Sequence, residues 1–197
     1  MENQIIIYDK WLKTAPKQLN AGLSIIKKIK GKNDYIILLG GTYRNQIKKY
    51  EMLGGRCEPQ DKTALHTAVR EFIEELFNIK LHIDKIDELV RHLILNSHIA
   101  YNLTQISETS VSYFTDFKTL ELIYNFVYYG KYNSVHSLNF TKFMQERNSN
   151  KLKCEKSDGL CEIDFVSVVY LSKAHLLPLR KYAYYILVKL SKKLEII

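Results

Sequence analysis

Between residues 63 and 77 the side chains Leu65, Ala68, Val69, Phe72, Ile73 and Leu76 recur at the spacing of one helix face, and no other stretch constrains the fold as tightly. An amphipathic helix of this length has to bury its stripe, and the strands around it offer a sheet to pack on. Thr63 stands where an N-cap hydroxyl is wanted, and Asn78 where a left-handed residue closes a helix. Arg70, Glu71, Glu74 and Glu75 lie off the stripe, so the polar side of this helix is charged and mainly acidic.

The neighbouring segments read as strands. Ala21 to Ile29 and Tyr35 to Leu39 are β-branched, apolar runs parted by Lys30, Gly31, Lys32, Asn33 and Asp34, which predicts a hairpin. A short strand is expected at Tyr50 to Leu53, ending in the pair Gly54 and Gly55. Ile83 to Leu95 fits helix or strand, Leu122 to Tyr129 and Phe165 to Leu171 read as strands, and residues 131 to 161 read as a long polar connection. Leu177 to Leu194 repeats apolar positions at helical spacing, with Arg180, Lys181, Lys189, Lys192 and Lys193 on its polar side. The expected fold is therefore α+β, or mixed α/β, in one domain spanning residues 1 to 197 with a core over about residues 20 to 194.

Composition narrows the class. The chain has 197 residues, 46% of them hydrophobic and 25% charged, and lacks any long uncharged apolar run, so a soluble intracellular protein without a membrane partner is expected. Cys57, Cys154 and Cys161 are odd in number and lack zinc-ligand spacing, which indicates reduced thiols. A net charge of +8 favours polyanionic partners.

Positions 71, 74 and 75 put three carboxylates on one side of a helical turn. Crowded negative charge of this kind is relieved by a hard divalent cation, which takes carboxylate oxygens, water and substrate phosphates together. The whole segment, from Gly54, Gly55, Arg56, Cys57, Glu58, Pro59, Gln60 and Asp61 through Arg70, Glu71, Phe72, Ile73, Glu74 and Glu75 to Ile79, resembles the Nudix box. It departs from that pattern in three places. Asp61 replaces the loop glutamate, Lys62 is one residue extra, and Phe77 stands where glycine is expected, with Asn78 and Ile79 supplying the turn one position late.

The resemblance implies a Nudix-like α/β/α sandwich with a mixed central sheet, a catalytic helix at 63–77 and a closing C-terminal helix. It implies a metal-dependent cut of a phosphoanhydride with Mg²⁺ or Mn²⁺ as cofactor. Glu74 and Glu75 would be the principal metal ligands, and Glu71 a further ligand or the base. The main-chain carbonyl of Gly54 or Gly55 would complete the shell, and Arg70 would hold the Glu74 carboxylate bidentately. Glu162, with Glu155 behind it, is the expected late acidic ligand.

The box leaves the substrate open beyond a nucleotide-type diphosphate. The proline that ADP-ribose hydrolases commonly carry after the box is missing near Leu93 and Ile94, and Tyr101 is late for the tyrosine of dinucleoside polyphosphate hydrolases. In outline the chain resembles Nudix proteins of large DNA viruses, including poxvirus decapping enzymes and baculovirus Nudix proteins. It shares the entry Leu53, Gly54, Gly55 and a last helix bearing Tyr182, Tyr184 and Tyr185. That likeness implies removal of an mRNA 5′ cap, in the host cytoplasm or nucleus. Basic charge and 14 tyrosines suit an RNA backbone and a stacked base. The alternatives are a pyrophosphatase for small nucleotides or nucleoside diphosphate sugars, and a Nudix-fold protein that binds RNA or nucleotide without cutting.

Overall fold

A computed structural model of the chain describes residues 20–96, 99–104, 110–132, 136–149 and 163–195. Its sheet is organised around β1 (Asn20–Lys28). The far end of β1 pairs antiparallel with β2 (Tyr35–Arg44), bringing Ile26 opposite Ile37. β2 in turn pairs with β3 (Ile47–Glu51), and β4 (Gly54–Arg56) folds back onto Asn20 to Gly22 of β1. On its other side β1 runs parallel to β6 (Ser110–Thr115), which pairs antiparallel with β5 (Ile99–Thr104). β7 (Phe165–Tyr170) lies antiparallel along Ile36 to Gly41 of β2. One parallel pair among antiparallel ones makes this the mixed sheet expected from the sequence.

The period-two alternation of β1 and β2 sends side chains to two cores. Leu23, Ile25 and Leu38 enter one core with α1 (Ala64–Phe77), α2 (Ile83–Leu95) and α3 (Phe117–Tyr129). Ile37, Leu39 and Phe114 enter the other with Ala183, Ile186, Leu187 and Leu190 of a last helix, numbered α5 below (Lys181–Lys193). Helices thus cover both faces of the sheet. No helix among the described residues is long and apolar enough to cross a membrane.

Two expectations are overturned. Leu122 to Tyr129, read as a strand, belongs to α3. The Asp116 carboxylate caps its start, accepting from Thr119 N at 2.8 Å, and Gly130 closes it at φ 64°. Leu120, Ile123 and Phe126 form a buried stripe with a three-residue step, and that stripe and the caps outweigh the β-branched and aromatic run. Within the expected connection of residues 131 to 161 lies α4 (Phe140–Ser149), a helix with no fully buried residue, whose short stripe of Phe140, Phe143 and Met144 packs half-buried against the core. Asn148 holds it to the sheet, its side chain both accepting from and donating to the main chain of Val166 at 2.9 Å. Ile83 to Leu95 is helical, and the closing helix starts at Lys181 behind a 3₁₀ segment, Leu171–Leu176.

Candidate active site

All six stripe residues of α1 are buried, and its ends show why the sequence is irregular there. Thr63 Oγ1 accepts from His66 N at 3.4 Å, and Asn78 adopts φ 54° with its N–H on Glu74 O. The extra residue Lys62 bonds Asp87 of α2, fastening the entry of the helix to its neighbour. Phe77, in the place of glycine, packs against Phe72, Tyr128 and Phe143 from three helices, with ring centroids 5.4 to 6.2 Å apart. The closure moves to Asn78 because position 77 serves the core.

Arg70 departs from expectation. It was predicted to grip Glu74, but its bidentate partner is Asp61, with Nε at 3.1 Å from Oδ1 and Nη2 at 2.9 Å from Oδ2. Glu74 lies 3.6 Å from Nη1, too far for a hydrogen bond. The fork geometry of guanidinium and carboxylate is satisfied by the loop acid because both are buried together, the Asp61 side chain completely. Asp61 also accepts from Glu58 N and Thr67 Oγ1, and Arg70 reaches Arg56 O at 2.9 Å. Burial works against the charged guanidinium, but Asp61 and the charge of Glu71 outweigh it and hold Arg70 above its ordinary pKa. The loop from Arg56 to Asp61 is thereby locked to the helix.

The locked loop presents Gly54 and Gly55 to the glutamates. Gly54 has φ 154° and donates its N–H to Glu75 Oε2 at 2.7 Å. A Cβ on Gly55 would stand 2.4 Å from the Glu71 carboxyl, so the missing side chain is the space which that carboxyl uses. Arg70 Nη1 donates to Glu71 Oε1 at 2.8 Å. At the far end of α1, Arg147 of α4 donates to the main-chain oxygen of Glu75 at 2.9 Å and to that of Ile163 at 2.8 Å.

Electrostatics single out the same three residues. Burial pushes Glu71 up to about 7 against the pull of Arg70, with Glu74 and Glu58 adding to the rise. Burial raises Glu74, and burial with the charge of Glu71 carries Glu75 well above the carboxylate range. Among the described residues no three carboxylates, histidines or cysteines are placed so that they could hold a metal ion together. The donor set nonetheless suits a hard divalent cation: negative groups that suppress one another's ionisation, with the bare main chain of Gly55 beside them.

The structure therefore places Gly55 and Arg70 against Glu71, sets Glu75 on the N–H of Gly54, and leaves Glu74 3.6 Å from Arg70. Glu155 and Glu162 lie outside the described residues. Asp61 and Arg147 were missed as members of the site. For Asp61 the signal was an acid where the loop turns into the helix; for Arg147, seventy-two residues from Glu75, the sequence carries none.

No protein-family model matches the chain, and no curated protein matches it by sequence. Among solved structures it is similar to a Nudix hydrolase from M. smegmatis, RenU, at 12% identity and a TM-score of 0.42, covering 91% of this chain and 88% of that one. Likeness at this level fixes neither family nor activity.

Proposed function

We propose that the protein is a Nudix-type hydrolase that cuts a phosphoanhydride with a divalent cation, and that its substrate is a 5′-capped RNA. The observation that carries the reading is the coupling of loop to helix: Asp61 and Arg70 hold the Gly54–Gly55 turn against Glu71 and Glu75, two buried carboxyls beside Glu74. A solvated acidic helix face needs no such buried clamp.

Glu71, Glu74, Glu75 and the main-chain oxygen of Gly55 would hold Mg²⁺ or Mn²⁺, which when bound neutralises phosphate charge and acidifies water. The chain's own groups do the rest. Gly54 N–H fixes one oxygen of Glu75. Arg70 orients Glu71 through Nη1, so that its carboxylate accepts a proton from the attacking water. The +8 charge holds the RNA backbone and is the ground for preferring RNA to a small nucleotide.

The test is incubation with Mg²⁺ or Mn²⁺ and three substrates in parallel: cap-labelled RNA, ADP-ribose and nucleoside triphosphates. Release of labelled 7-methyl-GDP is expected, falling at least about 10²-fold in a Glu74→Gln, Glu75→Gln variant. Cleavage of the small substrates alone would transfer the activity to a nucleotide pyrophosphatase. RNA binding with no cleavage of anything would make the protein a binding module.

A further inference from the structure

Arg180, expected on the polar side of the closing helix, turns instead toward the face of the sheet that carries α1. Two main-chain bonds lay residues 178 to 180 along β3: Tyr50 N donates to Pro178 O and Arg180 N to Tyr50 O, both at 2.9 Å. Leu179, level with Tyr50, packs into the core beneath α5, so its neighbour Arg180 faces the opposite side. There Nε lies 2.9 Å from Glu51 Oε2, and Nη2 donates to Thr42 Oγ1 at 3.2 Å. Thr42 and Gly40, the strand partner of Glu51, share a face of β2 with Leu38, whose side chain enters the core with α1.

This ion pair stands beside the glutamates. Glu51 precedes Gly54 by three residues, a span of at most about 10 Å, and the Gly54 N–H is bonded to Glu75. The charge of Glu51 is one of those that raise Glu75. An approaching diphosphate meets Glu51, Glu71 and Glu75 as like charges, so a positive group on this face decides whether it is held. Arg180 is such a group: its fork of donors matches two phosphate oxygens, and its side chain is 30% exposed, so a ligand can reach it from solvent. The chain does not need this side chain as a fastener. Two main-chain bonds and the packing of Leu179 already fix the segment, and a partly exposed ion pair adds little to stability.

We propose that Arg180 is a substrate-binding residue of the glutamate site, its guanidinium holding a phosphate of a nucleoside diphosphate, and that Glu51 and Thr42 are the positioning residues that aim it. The proposal rests on the phosphoanhydride-hydrolase reading above and adds the group that takes up the substrate's charge. It applies whatever the diphosphate is attached to, capped RNA or a small nucleotide.

Calorimetric titration with GDP and with guanosine, in EDTA, separates recognition of the phosphates from that of the base. The unmodified protein should bind GDP more tightly than guanosine, and Arg180→Gln should lose about tenfold for GDP and nothing for guanosine. Arg180→Lys should recover part of that loss, since it keeps the charge without the fork. Thr42→Val should show a smaller loss, again for GDP alone. Lys30→Gln removes the same charge from the turn at the far end of β1 and should change neither affinity. Equal affinity of the unmodified protein for the two ligands, a GDP affinity unmoved in Arg180→Gln, or parallel losses for GDP and guanosine would each overturn the proposal. Cleavage of capped RNA or nucleotides with a KM indifferent to Arg180→Gln does the same and leaves the hydrolase standing. Arg180-dependent GDP binding in a protein that cuts nothing keeps this site and sinks the hydrolase.

Discussion

At the scale of single residues, Asp61 and Gly55 separate stability from chemistry. Asp61→Asn keeps the shape of the side chain but removes the charge that answers the buried Arg70, so unfolding by denaturant should lose roughly 2–4 kcal/mol. Gly55→Ala should leave the melting temperature within a few degrees and still cut turnover at least about tenfold, because the new methyl occupies the place of the Glu71 carboxyl. If Gly55→Ala retained full turnover, Glu71 would have no role tied to its present position. The glutamates and Arg70 could be read from sequence because they sit three and four residues apart on one helix. The true partner of Arg70 could not, since i to i+4 spacing offers Glu74, while the approach of Asp61 depends on a loop path that only the packed structure defines.

At the scale of elements, legibility followed how each helix is stabilised. α1 declares itself by a full apolar stripe between caps, and its expected bounds hold to within a residue. α3 carries the same signals, Asp116 and Gly130, but its β-branched and aromatic composition points the other way until the caps are weighed. Asp116→Ala should therefore cost about 1 kcal/mol by removing the acceptor for Thr119 N and Thr119 Oγ1. α4 rests on the short half-buried stripe of Phe140, Phe143 and Met144 and on polar contacts to distant main chain, and no local pattern encodes the latter. Asn148→Ala should loosen this helix selectively, seen as amide exchange of residues 140–149 accelerating while exchange in β1 and β6 stays slow. Equal acceleration in both regions would mean that α4 is an integral part of the cooperative core.

At the scale of the whole molecule, the two cores meet through β1 and β6, and Tyr182 of α5 marks the join. Its hydroxyl pairs with Ser112 of β6 at 2.5 Å, and Ser112 is wholly buried. Burial pushes the Tyr182 pKa up to about 12, partly offset by Ser112. A pKa raised by folding means that the neutral phenol is favoured in the native state. Its contribution is complete below the unfolded value near 10 and is lost as pH rises through about 12. At pH 8, Tyr182→Phe should be less stable than the unmodified protein by about 1 kcal/mol, the cost of stranding Ser112. Between pH 10 and 12 that gap should close and then reverse, because the variant has no phenol to ionise while both proteins share every other titrating group. Denaturant melts of the two proteins across this range decide the matter. A gap that stays constant would show that the Tyr182 hydroxyl is hydrated, and that α5 is joined to the sheet by its apolar stripe alone.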